Sequence, residues 1–136
     1  MTGSVLLEQF ESCTLPDENF RHYDHVHVAF LYLNKYPGLE ALSRFSSSLL
    51  RFATAKGKPA LYHETITWAY LLIIRDRMMR AGHPQTWEEF AQGNADLLSW
   101  ENSVLKAYYR EETLASELAR KVFLFPDKFS GSTLGG

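Results

Sequence analysis

Three of the chain's five histidines lie in one short stretch, Phe20–Leu33, with the sequence FRHYDHVHVAFLYL. At about 100° per residue, a helix places His22 and His25 on one face, and the apolar run that follows turns this face inward. His27 falls on a different face beside Asp24, so we expect it to lie outside the cluster. Two imidazoles one helical turn apart can converge on one ion or ligand, which is the first indication of a site.

A second stretch with potential chemistry is Tyr62–Ile74, YHETITWAYLLII. A helix here places His63, Thr67 and Tyr70 on a shared face, with Glu64 next to it. His63 and Glu64 then fall in the first turn, where free amides and the positive end of the helix dipole favour anions and lower the pKa of a histidine. The two stretches together predict an interior histidine cluster in which His63 approaches the pair on the first helix.

The predicted site residues are His22, His25, His63, Glu64, Thr67 and Tyr70. Their chemistry is open between three functions. In the first, the three histidines bind a divalent metal, and Glu64 is a fourth ligand or a general base. Imidazole and carboxylate ligands without a thiolate favour zinc, iron, manganese or nickel.

The other two functions need no metal. In the second, the imidazoles and Glu64 act as general acid and base, as in a lyase or cyclase of a biosynthetic pathway. In the third, the histidines only specify helix packing, and the chain is a non-enzymatic helical partner subunit. The first two functions make the chain a small-molecule enzyme of the hydrolase or lyase type, which is the prediction we favour.

Composition excludes several classes of protein. The chain has 136 residues, of which 46% are hydrophobic and 14% aromatic, so it can bury a core and is unlike a disordered chain. A net charge of −2 gives no electrostatic reason to bind nucleic acid or an anionic membrane. The longest apolar run, Ile66–Ile74, is too short to span a bilayer. No signal peptide is visible at the N-terminus.

The single cysteine, Cys13, excludes an internal disulfide and suits a reducing compartment. We therefore expect a cytoplasmic protein that acts on a small-molecule substrate. A protein partner or a homodimer is left open.

Apolar periodicity and stop signals predict an all-α fold, a compact single-domain bundle of five to seven helices over residues 1–129. Residues 130–136 are predicted to form a flexible tail. A helix should end at Tyr36, before Pro37, and a capping box should start another at Thr86. The predicted helices cover Ser4–Ser12, the histidine stretch up to Tyr36, Leu39–Ala55, Tyr62–Met79, Thr86–Leu98, Ser103–Arg110 and Thr113–Val122.

Three patterns of the chain also carry a resemblance: TLPxxxFxHxxHVxVAxxYL, then GxxxxYHETIT, then YxxExLxSxxARxxFxxPD. Together they resemble an uncharacterised family of small, all-helical bacterial proteins, from Leu6 to Asp127. That family has no established activity, so the resemblance implies neither a reaction nor a cofactor. It implies that shared motif positions include His22, His25, His63, Glu64, Arg120 and Asp127, but not His27 or His83. For Arg120 and Asp127 we expect a structural pair that fastens the C-terminus.

Overall fold

The structure, a computed structural model, describes residues 2–128, and over these residues it contains seven α-helices and no strand. The helices are α1 (Gly3–Glu11), α2 (His22–Lys35), α3 (Gly38–Ala55), α4 (Glu64–Ala81), α5 (Trp87–Gly93), α6 (Glu111–Leu114) and α7 (Glu117–Lys121). The all-α class with five to seven helices is therefore confirmed. The predicted flexible tail, residues 130–136, lies outside the described residues. Between residues 2 and 128, no helix is both long and apolar enough to cross a membrane.

The predicted helix boundaries hold where the local sequence carries a specific signal. Helix α2 ends at Lys35, and Tyr36 is already extended before Pro37. Gly82 adopts φ 77° after α4, a left-handed conformation that favours glycine. The capping box that starts α5 is present, because Thr86 Oγ1 accepts the Glu89 N–H at 3.1 Å and a Glu89 carboxylate oxygen accepts the Thr86 N–H at 2.9 Å.

The sequence overestimated helix in the last third of the chain. Helix α5 ends at Gly93, and a 3₁₀ turn over Ala95–Leu98 replaces the rest of the predicted helix. The predicted helix Ser103–Arg110 is only a 3₁₀ turn, Val104–Ala107. The hydroxyl of Ser103 accepts the N–H of the second residue of this turn, a local bond that competes with a regular helix.

The predicted helix Thr113–Val122 is divided into α6 and α7. The chain is interrupted at Ser116, whose backbone is extended. Its hydroxyl accepts the Ala119 N–H at 3.1 Å and so caps the start of α7. A serine that begins a new helix within a periodic stretch is a capping signal that hydrophobic periodicity alone does not reveal.

Helices α1 to α5 share one hydrophobic core. Its buried side chains include Leu6, Phe10, Val26, Phe30, Phe45, Leu49, Phe52, Leu71, Ile74 and Phe90. The hydroxyl of Tyr32 is a polar group inside this core. This hydroxyl donates to a Glu11 carboxylate oxygen at 2.6 Å and lies 3.0 Å from the Ser48 hydroxyl. The buried phenol is therefore satisfied, as a polar group in a core must be.

The last part of the chain, residues 104–128, is called the C-terminal segment below. A second, smaller core cluster joins it to α4. Two side chains at the start of α4 also bind the backbone of the C-terminal segment. His63 Nε2 lies 2.7 Å from the Leu114 carbonyl oxygen, and Thr65 Oγ1 donates to the Val122 carbonyl at 2.8 Å. The C-terminal segment is thus held on the bundle largely by bonds that α4 supplies.

Candidate functional site

A cavity of about 470 Å³ lies between α2, α3 and α4. All of the predicted site residues except Glu64 line it: His22, His25, His63, Thr67 and Tyr70. Its apolar wall is formed by Phe20, Val26, Ala29, Phe45, Leu49, Phe52, Ile66 and Ile74. The volume falls in the range of roughly 300–1,000 Å³ that is usual for small-molecule sites. The two stretches that the sequence singled out therefore do meet at one cavity.

Both histidine-bearing helices begin at this cavity. Helix α2 starts at His22, directly after Arg21, whose backbone N–H is accepted by Asp24 at 3.0 Å. Helix α4 starts at Glu64, and His63 is its N-cap residue. The capping of the two helices thus fixes where each helix begins, and so where its histidines lie in the cavity wall.

His25 has the least constrained ring of the cluster. It stacks on Phe20 with 4.3 Å between ring centroids, and no group in the described part of the chain hydrogen-bonds its nitrogens. Desolvation by burial lowers the pKa of His25 to about 4, and the neighbouring His22 lowers it further by charge repulsion. The ring is therefore neutral near pH 7 and presents an unshared lone pair to the cavity.

His22 has one nitrogen committed and one available. Its Nε2 lies 2.8 Å from the Leu97 carbonyl oxygen, so Nε2 carries the hydrogen and donates, and Nδ1 is left as an acceptor. The ring packs edge-on against Tyr70 at 4.8 Å and near Trp100 at 5.4 Å between centroids. Burial lowers the pKa of His22, and the bond to the Leu97 carbonyl opposes part of that effect.

His63 has both nitrogens committed to the protein. Its Nδ1 accepts the Ile66 N–H at 3.1 Å, which caps α4, and its Nε2 donates to the Leu114 carbonyl. Burial lowers its pKa; the Leu114 carbonyl opposes this, and the nearby Arg120 guanidinium adds to it. His63 is thus a neutral imidazole in one fixed tautomer that shapes the cavity wall.

The geometry does not support the three-histidine metal site that the sequence predicted. Within residues 2–128, no group of three or more His, Cys, Asp and Glu side chains is placed to hold a metal ion. The physical reason lies in His63, because a metal needs the lone pair of a ring nitrogen and neither of its nitrogens has one to spare. His22 and His25 alone leave an incomplete ligand set for zinc, iron, manganese or nickel.

Glu64 does not line the cavity, which departs from its predicted role as a ligand or direct base. Its carboxylate instead accepts a short hydrogen bond from the hydroxyl of Tyr62, which does line the cavity. Burial and this bond raise the pKa of Tyr62 far above its usual range, while the Ser46 and Thr67 hydroxyls oppose part of the rise. Glu64 therefore acts on the cavity through Tyr62, whose ring it orients.

The two hydroxyls predicted on α4 are also held by the protein. Thr67 Oγ1 donates to the His63 carbonyl at 2.7 Å, one turn earlier in the helix. The Tyr70 hydroxyl lies 2.5 Å from the Ser103 hydroxyl, and burial raises the pKa of Tyr70. Both side chains therefore stabilise the wall in addition to lining it.

Several cavity residues were not among the predicted site residues. Tyr62 was detectable, because it directly precedes His63 in the YHETIT motif. Trp100 was not, since it follows a 3₁₀ turn in a segment without periodicity. Four charged side chains also line the cavity without having been predicted as site residues, namely Asp17, Lys56, Lys58 and Arg120.

Two other expectations can be compared with the structure. His27 lies outside the cavity and stacks on Trp87 with 4.2 Å between centroids. The expected pair of Arg120 and Asp127 does not form. Arg120 instead donates to the Ala60 carbonyl at 2.6 Å. Asp127 accepts the N–H of Arg110, the residue before α6, and the hydroxyl of Thr113 in α6. Arg120 thus ties the C-terminal segment to the bundle, whereas Asp127 holds the end of this segment against α6.

Comparisons of this chain with protein-family models, with curated proteins and with solved structures found no match. Its function is therefore inferred from the cavity. The cavity contains one imidazole without a protein partner, one imidazole with a free acceptor nitrogen, and a phenol that a carboxylate orients. Such a set can accept a proton, position a polar group and enclose an apolar one.

Proposed function

We propose that this protein is a small-molecule enzyme of the lyase or cyclase type that uses the neutral imidazole of His25 as its general base. The observation that carries the proposal is the His25 ring, which faces the cavity and makes no hydrogen bond to any described residue. A partly buried histidine with a purely structural role normally uses at least one nitrogen, as His22 does, and the buried His63 uses both. An unpartnered one facing a cavity of ligand size is available to a substrate.

The chemistry open to His25 is proton transfer. Its neutral ring can take a proton from a C–H or O–H group of a bound molecule and return it to another atom, a step worth about 10²–10⁴-fold in rate. The acceptor nitrogen of His22, one turn away on α2, can bind a second donor of the same molecule. Because the surrounding wall is mainly apolar, elimination or ring closure suits the cavity better than hydrolysis, which needs an activated water.

Tyr62 supplies a fixed polar group on the opposing segment. Its proton is held by Glu64, so its oxygen can only accept a hydrogen bond from a ligand. A substrate with a hydroxyl or amine donor would be oriented by this oxygen while His25 faces the atom that loses the proton. The Tyr62–Glu64 pair is thus a positioning device in this mechanism.

The test is a comparison of metabolite extracts before and after incubation with the purified protein, read by mass spectrometry. We expect the wild-type protein to consume at least one species and to form either an isomer or a product smaller by one neutral molecule. His25→Gln should slow the conversion by about 10²-fold or more, because it removes the base while keeping a polar side chain. His83→Gln is the matched control and should convert at the wild-type rate, since His83 lies in the loop after α4.

Two results would overturn the proposal. One is the absence of any conversion that depends on the protein, and the other is full activity of His25→Gln. Either would favour a structural role for the histidines and a partner subunit. Loss of the conversion after treatment with a chelator would instead restore the metal-dependent hydrolase.

A further inference from the structure

The charged side chains of the cavity are unequal in sign. Three cationic residues line it, Lys56, Lys58 and Arg120, against one carboxylate, that of Asp17. The three cavity histidines are neutral near pH 7, since burial lowers the pKa of each. The cavity is therefore positive, although the whole chain carries a net charge of −2.

The three cations differ in how far the protein already neutralises them. Lys58 is fully paired, because its Nζ lies 2.7 Å from an Asp17 carboxylate oxygen. Arg120 binds the Ala60 carbonyl, and its nearest carboxylate, that of Glu117, is 4.0 Å away.

Lys56 is the least compensated. Its Nζ lies 5.3 Å from the centroid of the Phe52 ring, a cation–π contact, and no carboxylate of the described residues forms an ion pair with it. Lys56 is also partly buried at the end of α3, next to the apolar wall. A cation at such a place attracts an anion that enters the cavity, and it is screened less than a fully exposed one.

Resting on the proposed function, we infer that the substrate is an organic acid with an apolar body and one carboxylate or phosphate group. The body packs against the wall formed by α2 and α3, and the acid group lies between Lys56 and Arg120. The apolar wall and the positive charges lie in the same cavity, so one molecule can contact both. A neutral apolar ligand would leave the lysine without a partner, and a polyanion would not fill the wall.

An acid group at this place would also assist His25. A negative charge near an imidazole favours its protonated form and raises its pKa. The imidazole of His25, whose pKa is about 4 in the empty cavity, would then become a stronger base when the substrate binds. Binding and proton transfer are coupled in this way without any change in the fold.

The test uses matched pairs of aryl-alkyl carboxylates and their carboxamides, together with aryl-alkyl phosphates of the same body. Binding is measured by ligand-observed NMR and by calorimetry on the full chain. We expect the acids to bind about tenfold more tightly than the amides, and the preference to shrink as ionic strength rises. The relative affinities of carboxylates and phosphates then identify the acid group.

Two variants locate the charge that causes the preference. Lys56→Met should weaken binding of the acids about threefold to tenfold and leave the amides unchanged, as expected for one partly exposed ion pair. Lys35→Met is the matched control, because Lys35 Nζ also lies over an aromatic ring, that of Tyr36 at 5.6 Å, but outside the cavity. It should bind both members of each pair as the wild type does.

The inference is overturned if no pair shows a preference for the acid, whether both members bind equally or neither binds. It is also overturned if Lys56→Met keeps the full preference. These measurements read binding alone, so their failure leaves the His25-dependent conversion of extracts untouched. An acid preference without any conversion would support the ligand class and overturn only the enzymatic role.

Discussion

The neutral state of His25 should lower the free energy of unfolding when the pH falls. Its folded-state pKa is about 4, against an ordinary value of 6.5. Well above pH 6.5 the ring is neutral in both the folded and the unfolded chain, so it does not influence the free energy of unfolding. Below pH 6.5 the unfolded chain binds a proton that the folded chain does not, and the folded state loses stability until the pH reaches about 4.

The size of the effect follows from the two pKa values. At pH 4.5 the unfolded chain is almost fully protonated at this site, whereas most folded molecules keep His25 neutral. One pKa unit corresponds to about 1.4 kcal/mol. Lowering the pH from 7.5 to 4.5 should therefore reduce the free energy of unfolding by about 2.5 kcal/mol through His25 alone. Burial lowers the pKa of His22 and His63 as well, so both act in the same direction.

The assay is urea unfolding at pH steps between 7.5 and 4.5 for three proteins. His25→Phe keeps an aromatic ring against Phe20 but cannot be protonated, so its loss of stability on acidification should be about 2.5 kcal/mol smaller than that of the wild type. His83→Gln controls for removing a histidine outside the cavity. An NMR titration of the His25 ring protons gives the midpoint directly. If His25→Phe and the wild type lose equal stability, His25 is not the neutral ring described above.

Three further predictions concern stability and are read by urea unfolding at pH 7.5. Tyr32→Phe should cost about 1–2 kcal/mol, since it leaves the Glu11 carboxylate without its donor and the buried Ser48 hydroxyl without its partner; an unchanged midpoint would contradict this. Gly82→Ala should cost about 1–2 kcal/mol because of its φ of 77°. Gly93→Ala, which has open space and no positive φ, should cost nothing, and equal losses would refute the backbone explanation. His63→Asn should keep the cap of α4 and lose only the bond to Leu114, about 1 kcal/mol, whereas His63→Ala should lose about twice as much. Equal effects would show that the cap is unimportant.

Part of the site could be predicted because its determinants are local. The spacing of His22 and His25 fixes a shared helix face, and the turn before Tyr62 fixes His63 as the start of the next helix. Both signals lie within a few residues along the chain. The meeting of the two segments then followed from the need to bury both apolar faces in one core.

What the sequence could not reveal was which ring nitrogens are free. The partner of His22 is a carbonyl 75 residues away and that of His63 a carbonyl 51 residues away. Every residue has a backbone carbonyl, so no sequence pattern predicts which carbonyl will accept a hydrogen bond from a histidine ring. The same limit explains the failure of the metal prediction. Histidine types and spacing were right for a ligand set, but the acceptor nitrogen of His63 was already used to cap α4.

The last third of the fold was predicted poorly for a related reason. Its short helices and 3₁₀ turns depend on side-chain bonds such as the cap at Ser116, which override the helix propensity of the residues around them. Tertiary bonds to α4, such as that of Thr65, then hold turns that would not persist alone.

The way the C-terminal segment is attached has a consequence for access to the cavity. Helices as short as α6 and α7 are not stable in isolation, so this segment depends on its docking against α4. We expect this segment to open as one cooperative unit. Its amide hydrogens should then exchange through an opening whose free energy is lower than that of the global unfolding through which the amides of α3 exchange. Arg120 lies in α7 and lines the cavity, so each opening would also remove part of the cavity wall. Ligands would then enter through transient detachment of the chain end, and a bound acid should slow hydrogen exchange in α6 and α7 first.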